Sequence, residues 1–147
     1  MRRERTDRRV FVDTSAYYAA TDAHDASHGR VVIAMRNLVT ARHRFVTTNF
    51  VLADTHALLL TRLNRSVAAS ALEELRASQT IVRVRAKDEA RAEDIIATYD
   101  DRNFTFTDGL SFAVMERPGI VRAFSLDHHF TQDGWHLIDI GSQEPGR

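Results

Sequence analysis

Arg9-Val10-Phe11-Val12-Asp13-Thr14-Ser15 is the stretch that decides the fold. A short apolar, β-branched run that stops on an acid and two hydroxyl residues is the pattern of a buried strand opening into a polar turn, with a helix starting near Ser15. The same alternation continues outward from it. Val31, Val32, Met35, Leu38 and Val39 fall at helical spacing within Asp25 to Ala41, and a second strand centres on Phe45-Val46. Thr48 or Asn49 caps a helix reaching about Leu63, and Ser66 caps one reaching about Ala77. A third strand, Ile81 to Val84, precedes a helix from about Lys87 to Tyr99. Thr107 caps a helix running to about Arg117, which Pro118-Gly119 closes, and Val121 to Ser125 and Trp135 to Ile138 supply the fourth and fifth strands. Strands alternating with helices predict an α/β chain, a three-layer α/β/α arrangement around a mainly parallel five-stranded sheet.

The 147 residues, 44% hydrophobic and 27% charged, suit one globular domain over 1–147, with an ordered core of about 9–140 and frayed ends at 1–8 and 141–147. With no Cys, thiol catalysis, zinc ribbons and a disulfide framework are excluded. No apolar run approaches the ~18 to 20 residues of a membrane span, and the Arg-rich start lacks the apolar core of a signal peptide, so the expected location is the cytoplasm, away from membranes. Twenty basic residues balance twenty acidic ones, so no global positive field drives nucleic-acid binding. Lys87 is the only lysine, an arginine bias that reads as the mark of a GC-rich genome.

Ligands of open α/β sheets sit beyond the carboxyl ends of the strands, so a polar residue just after a buried strand is the first place to look for chemistry. Asp13 follows Val-Phe-Val and Asp127 follows Ala-Phe-Ser-Leu. Asp54 interrupts an apolar helix, and Asp108 stands in the first turn of another. Taken singly, each has a plainer reading: a turn residue, a solvated helix face, a partner of the helix dipole. Converging in one cleft, the acids would repel one another unless a cation or protons neutralised them. Hard cations such as Mg²⁺ take carboxylate oxygens together with water and substrate phosphate. The chemistry suited to such a site is phosphodiester hydrolysis, with the metal lowering the pKa of a bound water and offsetting charge on the leaving oxygen.

Four blocks carry a resemblance. Val-Phe-Val-Asp13-Thr-Ser, Thr47-Thr48-Asn49-Phe50-Val51-Leu52-Ala53-Asp54, Phe104 to Met115 around Thr107-Asp108-Gly109, and Phe124-Ser125-Leu126-Asp127-His128-His129-Phe130 resemble, in order, the motifs of PIN-domain ribonucleases. The resemblance is to VapC-type toxins of toxin-antitoxin pairs and covers about residues 9 to 140. It implies a PIN-like fold, a Mg²⁺- or Mn²⁺-dependent endoribonuclease activity on RNA, a homodimer, and neutralisation by a VapB-like antitoxin. The family's acids fall on Asp13, Asp54, Asp108 and Asp127. Asp13 and Asp108 are the expected direct metal ligands. Asp127 is expected to ligate directly, serve a second metal or hold its water, and Asp54 to orient a metal-bound water or take part in proton transfer. Thr14, Ser15, Thr107 and Ser111 are expected to support them, with helix capping as their plainer role. Asp54 departs from the family pattern, where the second acid is usually Glu. Asp22, Asp25, His28, Asp101 and Thr105 also resemble recurrent VapC-like positions without an assigned role.

His128 and His129 read as bystanders, because hard cations favour oxygen and acids are already sufficient. Arg102, Arg117, Arg122 and the N-terminal arginines are candidates for RNA contact or, more plainly, a solvated surface. Three other functions compete: an RNA-processing nuclease that is not a toxin, a non-catalytic PIN module binding RNA or protein, and a phospho-accepting domain with Asp13 as nucleophile. The second expects loss of an acid, and all four positions are acidic. The third expects an acid at position 15, which is Ser, and a lysine near a later strand end.

Overall fold

The computed structural model of the chain describes residues 7–141. Its strands are β1 (Arg9–Val12), β2 (Arg44–Thr48), β3 (Thr80–Val82), β4 (Arg122–Phe124) and β5 (His136–Leu137). The helices are α1 (Thr14–Thr21), α2 (His28–Thr40), α3 (Asn49–Arg62), α4 (Arg65–Ser78), α5 (Ala86–Thr98), α6 (Phe106–Glu116) and α7 (His129–Gln132). All strand pairs are parallel, in the order β3-β2-β1-β4-β5, with helices on both sides as the alternation predicts.

β1 lies at the centre because Val10, Phe11 and Val12 have no polar face to offer solvent, and all three are fully buried. Val10 pairs with Phe45 on one side, and Val12 with Phe124 on the other. From β1 the chain first winds outward through β2 and β3 and then returns to β4 and β5. The direction of winding therefore reverses between β1 and β4, and the crevice at their carboxyl ends is the expected ligand position. Asp13 continues β1 there, its backbone N–H donating to the Phe124 carbonyl at 3.0 Å.

Helix α6 is buried along its length from Asp108 to Met115, which explains its continuous apolar sequence. Gly109 permits this: a Cβ there would lie 3.2 Å from the backbone oxygen of Ala92 on α5. The same two helices are latched by Arg117, whose Nε and Nη2 each donate at 3.0 Å to the buried Asp88 carboxylate. Phe112 stacks edge-on with Phe104 at 5.2 Å and Phe130 at 5.0 Å, tying α6 to α7.

Several local expectations shift. Thr105 caps α6 in place of Thr107, accepting from the Asp108 N–H at 3.0 Å while Asp108 Oδ2 accepts from the Thr105 N–H. Asn64 caps α4 in place of Ser66, and α2 starts at His28, because Asp25 accepts the Ser27 N–H in a turn. β3 ends at Val82, since the Val84 N–H is taken by the Asn49 side chain at 3.0 Å. The short helix α7 is an element that the sequence pattern does not predict. Of the ends expected to fray, residues 1–6 and 142–147 lie outside the described residues. Asp7 and Arg8 are tied down, by the Asp7–Arg9 ion pair at 2.9 Å and by the Arg44 N–H on the Arg8 carbonyl.

Candidate active site

Asp13, Asp54, Asp108 and Asp127 all line one cleft of about 390 Å³ at the carboxyl end of the sheet. Each arrives by a different route. Asp13 and Asp127 follow β1 and β4, Asp108 is held in the first turn of α6, and Asp54 projects from α3. The cleft wall also includes Thr14, Ser15, Thr105 and Thr107.

Asp13 is buried, 6% exposed. Its Oδ2 accepts from Ser15 Oγ and from Ser125 Oγ, both at 3.0 Å. Burial pushes its pKa up, the Ser15, Ser125 and Thr14 hydrogen bonds pull the other way, and the Asp108 charge adds to the rise. The serines do more than hold a carboxylate. Ser15 Oγ accepts the Leu126 N–H at 2.9 Å, and Ser125 Oγ accepts the Asp127 N–H at 3.0 Å, so the loop bearing Asp127 is fastened to the turn bearing Asp13.

Asp108 is also buried, and both its partners, the Thr105 N–H and His129 Nδ1, use Oδ2. Asp127 Oδ1 accepts the His129 N–H at 3.0 Å and lies 3.4 Å from His129 Nδ1. His129 therefore stands between two of the carboxylates, its ring packed edge-on against Phe104 at 5.5 Å. His129 is thus in direct contact with the acids of the cleft, a position that its sequence did not disclose. His128 is more exposed, 75% at its side chain, with its Nδ1 3.7 Å from Asp127 Oδ1. The ligand atoms of Asp127, His128 and His129 lie within 4.8 Å of one another, an arrangement able to hold a metal ion.

Asp54 is exposed and makes no hydrogen bond or ion pair among the described residues, so nothing in the fold neutralises it. Asp25 lines the same cleft as a fifth acid. Thr14 Oγ1 contacts the Val51 carbonyl and Thr55 at 3.4 Å, joining α1 to α3. Ser111 is buried, and its Oγ has no partner among the described residues, so no hydrogen bond there connects it to the carboxylates. Of the other positions noted in sequence, Asp22 accepts from the Tyr18 hydroxyl at 2.7 Å and His28 Nδ1 meets the Ala19 carbonyl at 2.7 Å, both within the α1–α2 corner.

Of the arginines considered for RNA contact, those among the described residues are engaged inside the fold, and Arg2, Arg3 and Arg5 lie outside the described residues. Arg117 holds Asp88, Arg102 donates to the Gln132 carbonyl, Arg122 meets His43 Nε2, and Arg9 pairs with Asp7. Arg62, not among the sequence candidates, is the one cation among the described residues lining the cleft. Its i, i+4, i+8 relation to Leu58 and Asp54 was the signal available for finding it.

The donor set is all-oxygen with one or two imidazoles at its edge, which fits a hard divalent cation. Asp108 Oδ1, Asp127 Oδ2 and both Asp54 oxygens have no hydrogen bond among the described residues. Such a group of acids supports phosphoryl chemistry through a bound cation.

The PIN domain family model matches residues 10–133. The chain is 35% identical over 127 residues to the 23S rRNA-specific endonuclease VapC20 of Mycobacterium tuberculosis, covering 86% of this chain and 95% of the relative. The crystal structure of Mycobacterium tuberculosis VapC20, described as a Sarcin-Ricin loop cleaving toxin, superposes with a TM-score of 0.77 at 33% identity, over 86% of this chain and 95% of that one. FitAcB from Neisseria gonorrhoeae shares the fold, with a TM-score of 0.65 at 15% identity over 89% and 97% of the two chains.

Proposed function

The chain belongs to the PIN-domain family, with VapC-type relatives, and on that premise we propose that it is a divalent-metal-dependent endoribonuclease acting as the toxin of a toxin-antitoxin pair. The observation that carries this reading is the convergence of Asp13, Asp54, Asp108 and Asp127 on one cleft at the β1/β4 switch point. A non-catalytic PIN module has no need of four acids in one place. A phospho-accepting domain finds no acid at position 15 and no lysine at the cleft.

Asp13, Asp108 and Asp127 would hold Mg²⁺ or Mn²⁺ in this reading, and the bound ion would supply a nucleophilic water near neutral pH and offset charge on the phosphoryl oxygens. Ser15 and Ser125 fix the Asp13 carboxylate, and Thr105 and His129 fix that of Asp108, so little reorganisation remains when substrate arrives. Asp54, unpartnered on α3, orients water or takes up its proton. Thr107, on the cleft wall, is placed to contact substrate or an ordered water.

The substrate class is RNA, and the relatives make the sarcin-ricin loop of 23S rRNA the first target to try. Silencing in the cell of origin falls to a VapB-like antitoxin whose basic side chain enters the acidic cleft. We place the toxin in the cytoplasm as a homodimer. No helix among the described residues is long and apolar enough to cross a membrane.

The test is cleavage of a mixed RNA pool with and without Mg²⁺ by the wild type and Asp13→Asn. Cleavage by the wild type alone, only with metal, is the expected result. Cleavage that persists in excess EDTA refutes the metal reading. Expression of the chain alone is expected to arrest growth, and co-expression of a neighbouring antitoxin gene to rescue it. Harmless expression of a chain that cleaves RNA in vitro favours the RNA-processing alternative.

A further inference from the structure

A cleft lined by carboxylates repels the very backbone it is meant to cut, and a metal ion offsets that repulsion only locally. Arg62 supplies positive charge at a distance from the acids. It is the last residue of α3 and shares one helix face with Asp54 and Leu58, at i, i+4 and i+8. Two helical turns separate Asp54 from Arg62, about 12 Å along the axis. A polynucleotide whose reacting phosphate sits among the carboxylates therefore carries a neighbouring phosphate toward Arg62.

The guanidinium is pre-positioned without being neutralised. Its carbon lies 5.1 Å above the Tyr18 ring. Tyr18 is itself buried, 8% exposed, and tethered through its hydroxyl to Asp22 at 2.7 Å, so the platform is rigid. No ion pair among the described residues involves Arg62, which is true of most described arginines; what sets Arg62 apart is its place on the wall of the acidic cleft. A hydrogen bond to the Tyr18 hydroxyl, stacking on its ring and the C-terminal end of the helix dipole account for where the side chain lies. They leave the charge without an anionic partner, beside a cleft built for an anion. A guanidinium recognises phosphate oxygens through its planar fork of donors.

We propose that Arg62 is a substrate-binding residue that grips an RNA backbone phosphate flanking the scissile one, with Tyr18 as its support. This rests on the reading of the cleft as a ribonuclease site and adds the direction in which the strand runs: from the carboxylates along α3 toward its C-terminus.

The experiment measures binding and cleavage separately. Binding of a labelled single-stranded RNA oligonucleotide is followed with Mg²⁺ in an Asp13→Asn background, where the RNA stays intact, with Arg, Ala or Lys at position 62. Arg62→Ala is expected to raise Kd about tenfold and to flatten the plot of log K against log salt by about 0.7, the value for one phosphate contact on a single strand. Arg62→Lys is expected to recover the slope. In the otherwise wild-type chain, Arg62→Ala is expected to raise KM with little change in kcat. A salt slope unchanged by Arg62→Ala overturns the proposal, even if activity falls, because lost packing on Tyr18 would lower Tm and leave the slope alone. Absence of RNA binding overturns it as well. A wild type that binds with an Arg62-dependent slope and cleaves nothing refutes the nuclease reading and leaves the phosphate contact standing.

Discussion

His129 Nδ1 lies 2.8 Å from Asp108 Oδ2, and the same residue's backbone N–H donates to Asp127 Oδ1 at 3.0 Å. One residue on the short helix α7 thus orients two carboxylates that come from different parts of the chain. Loss of an imidazole that positions a metal-binding carboxylate costs about 10- to 100-fold in activity or metal affinity. His129→Ala is expected to lower kcat/KM within that range. His129→Asn, which keeps a donor near Nδ1, is expected to recover part of the loss, and the exposed His128→Ala to stay close to wild type. Steady-state RNA cleavage across the three variants is the check; equal effects at 128 and 129 would remove His129 from the site.

Asp13→Asn and Asp108→Asn are expected to abolish metal-dependent cleavage while the fold persists. For Asp13 the sign with pH is set by burial, which raises its folded pKa above the ordinary 3.8. The folded chain then holds this proton more tightly than the unfolded chain, so the metal-free protein loses stability as pH rises from 3.8 through the folded value. Asn at position 13 carries no such loss. Thermal melting of metal-free protein should show Asp13→Asn level with or above wild type near pH 7, with the difference closing as pH falls toward 3.8. A lower Tm for the variant at pH 7 would contradict the electrostatic account.

Asp54 is exposed and unpartnered, so its charge is free to act on water at the cleft without a fixed position. Asp54→Glu is expected to keep measurable cleavage and Asp54→Ala to lose much more, because charge matters here more than reach. Near-wild-type rates in both would return Asp54 to a solvated helix face.

Asp88 tests the frame that carries Asp108. Burial disfavours its charge, but the Arg117 guanidinium and the Arg85 N–H outweigh burial and hold the carboxyl below its ordinary 3.8. Its contribution is fully present above pH 3.8 and is lost as pH falls through the folded value beneath it. Removing one partner of a buried pair costs about 3 kcal/mol. Asp88→Ala is expected to destabilise by that order in urea unfolding at pH 7. A loss far smaller would mean that Arg117 finds another partner.

Sequence by itself determined the alternation of elements and the burial of β1, and it singled out the four acids that the fold brings to one cleft. These are local properties: Val10-Phe11-Val12 has no polar side to expose, and an acid directly after such a run has nowhere to go except the carboxyl edge of the sheet. Cap positions were less legible, because Thr105 and Thr107 both precede an apolar run and only backbone geometry chooses between them. The roles of His129, Ser125 and Arg62 depended on tertiary structure. Ser125 reaches Asp13 across 112 positions of chain, His129 reaches Asp108 across 21, and Arg62 meets the cleft only because α3 lies along its wall. Hydrogen bonds and ring contacts act over a few ångströms in space, and β1 brings such distant segments together by pairing with β4 on one side and β2 on the other.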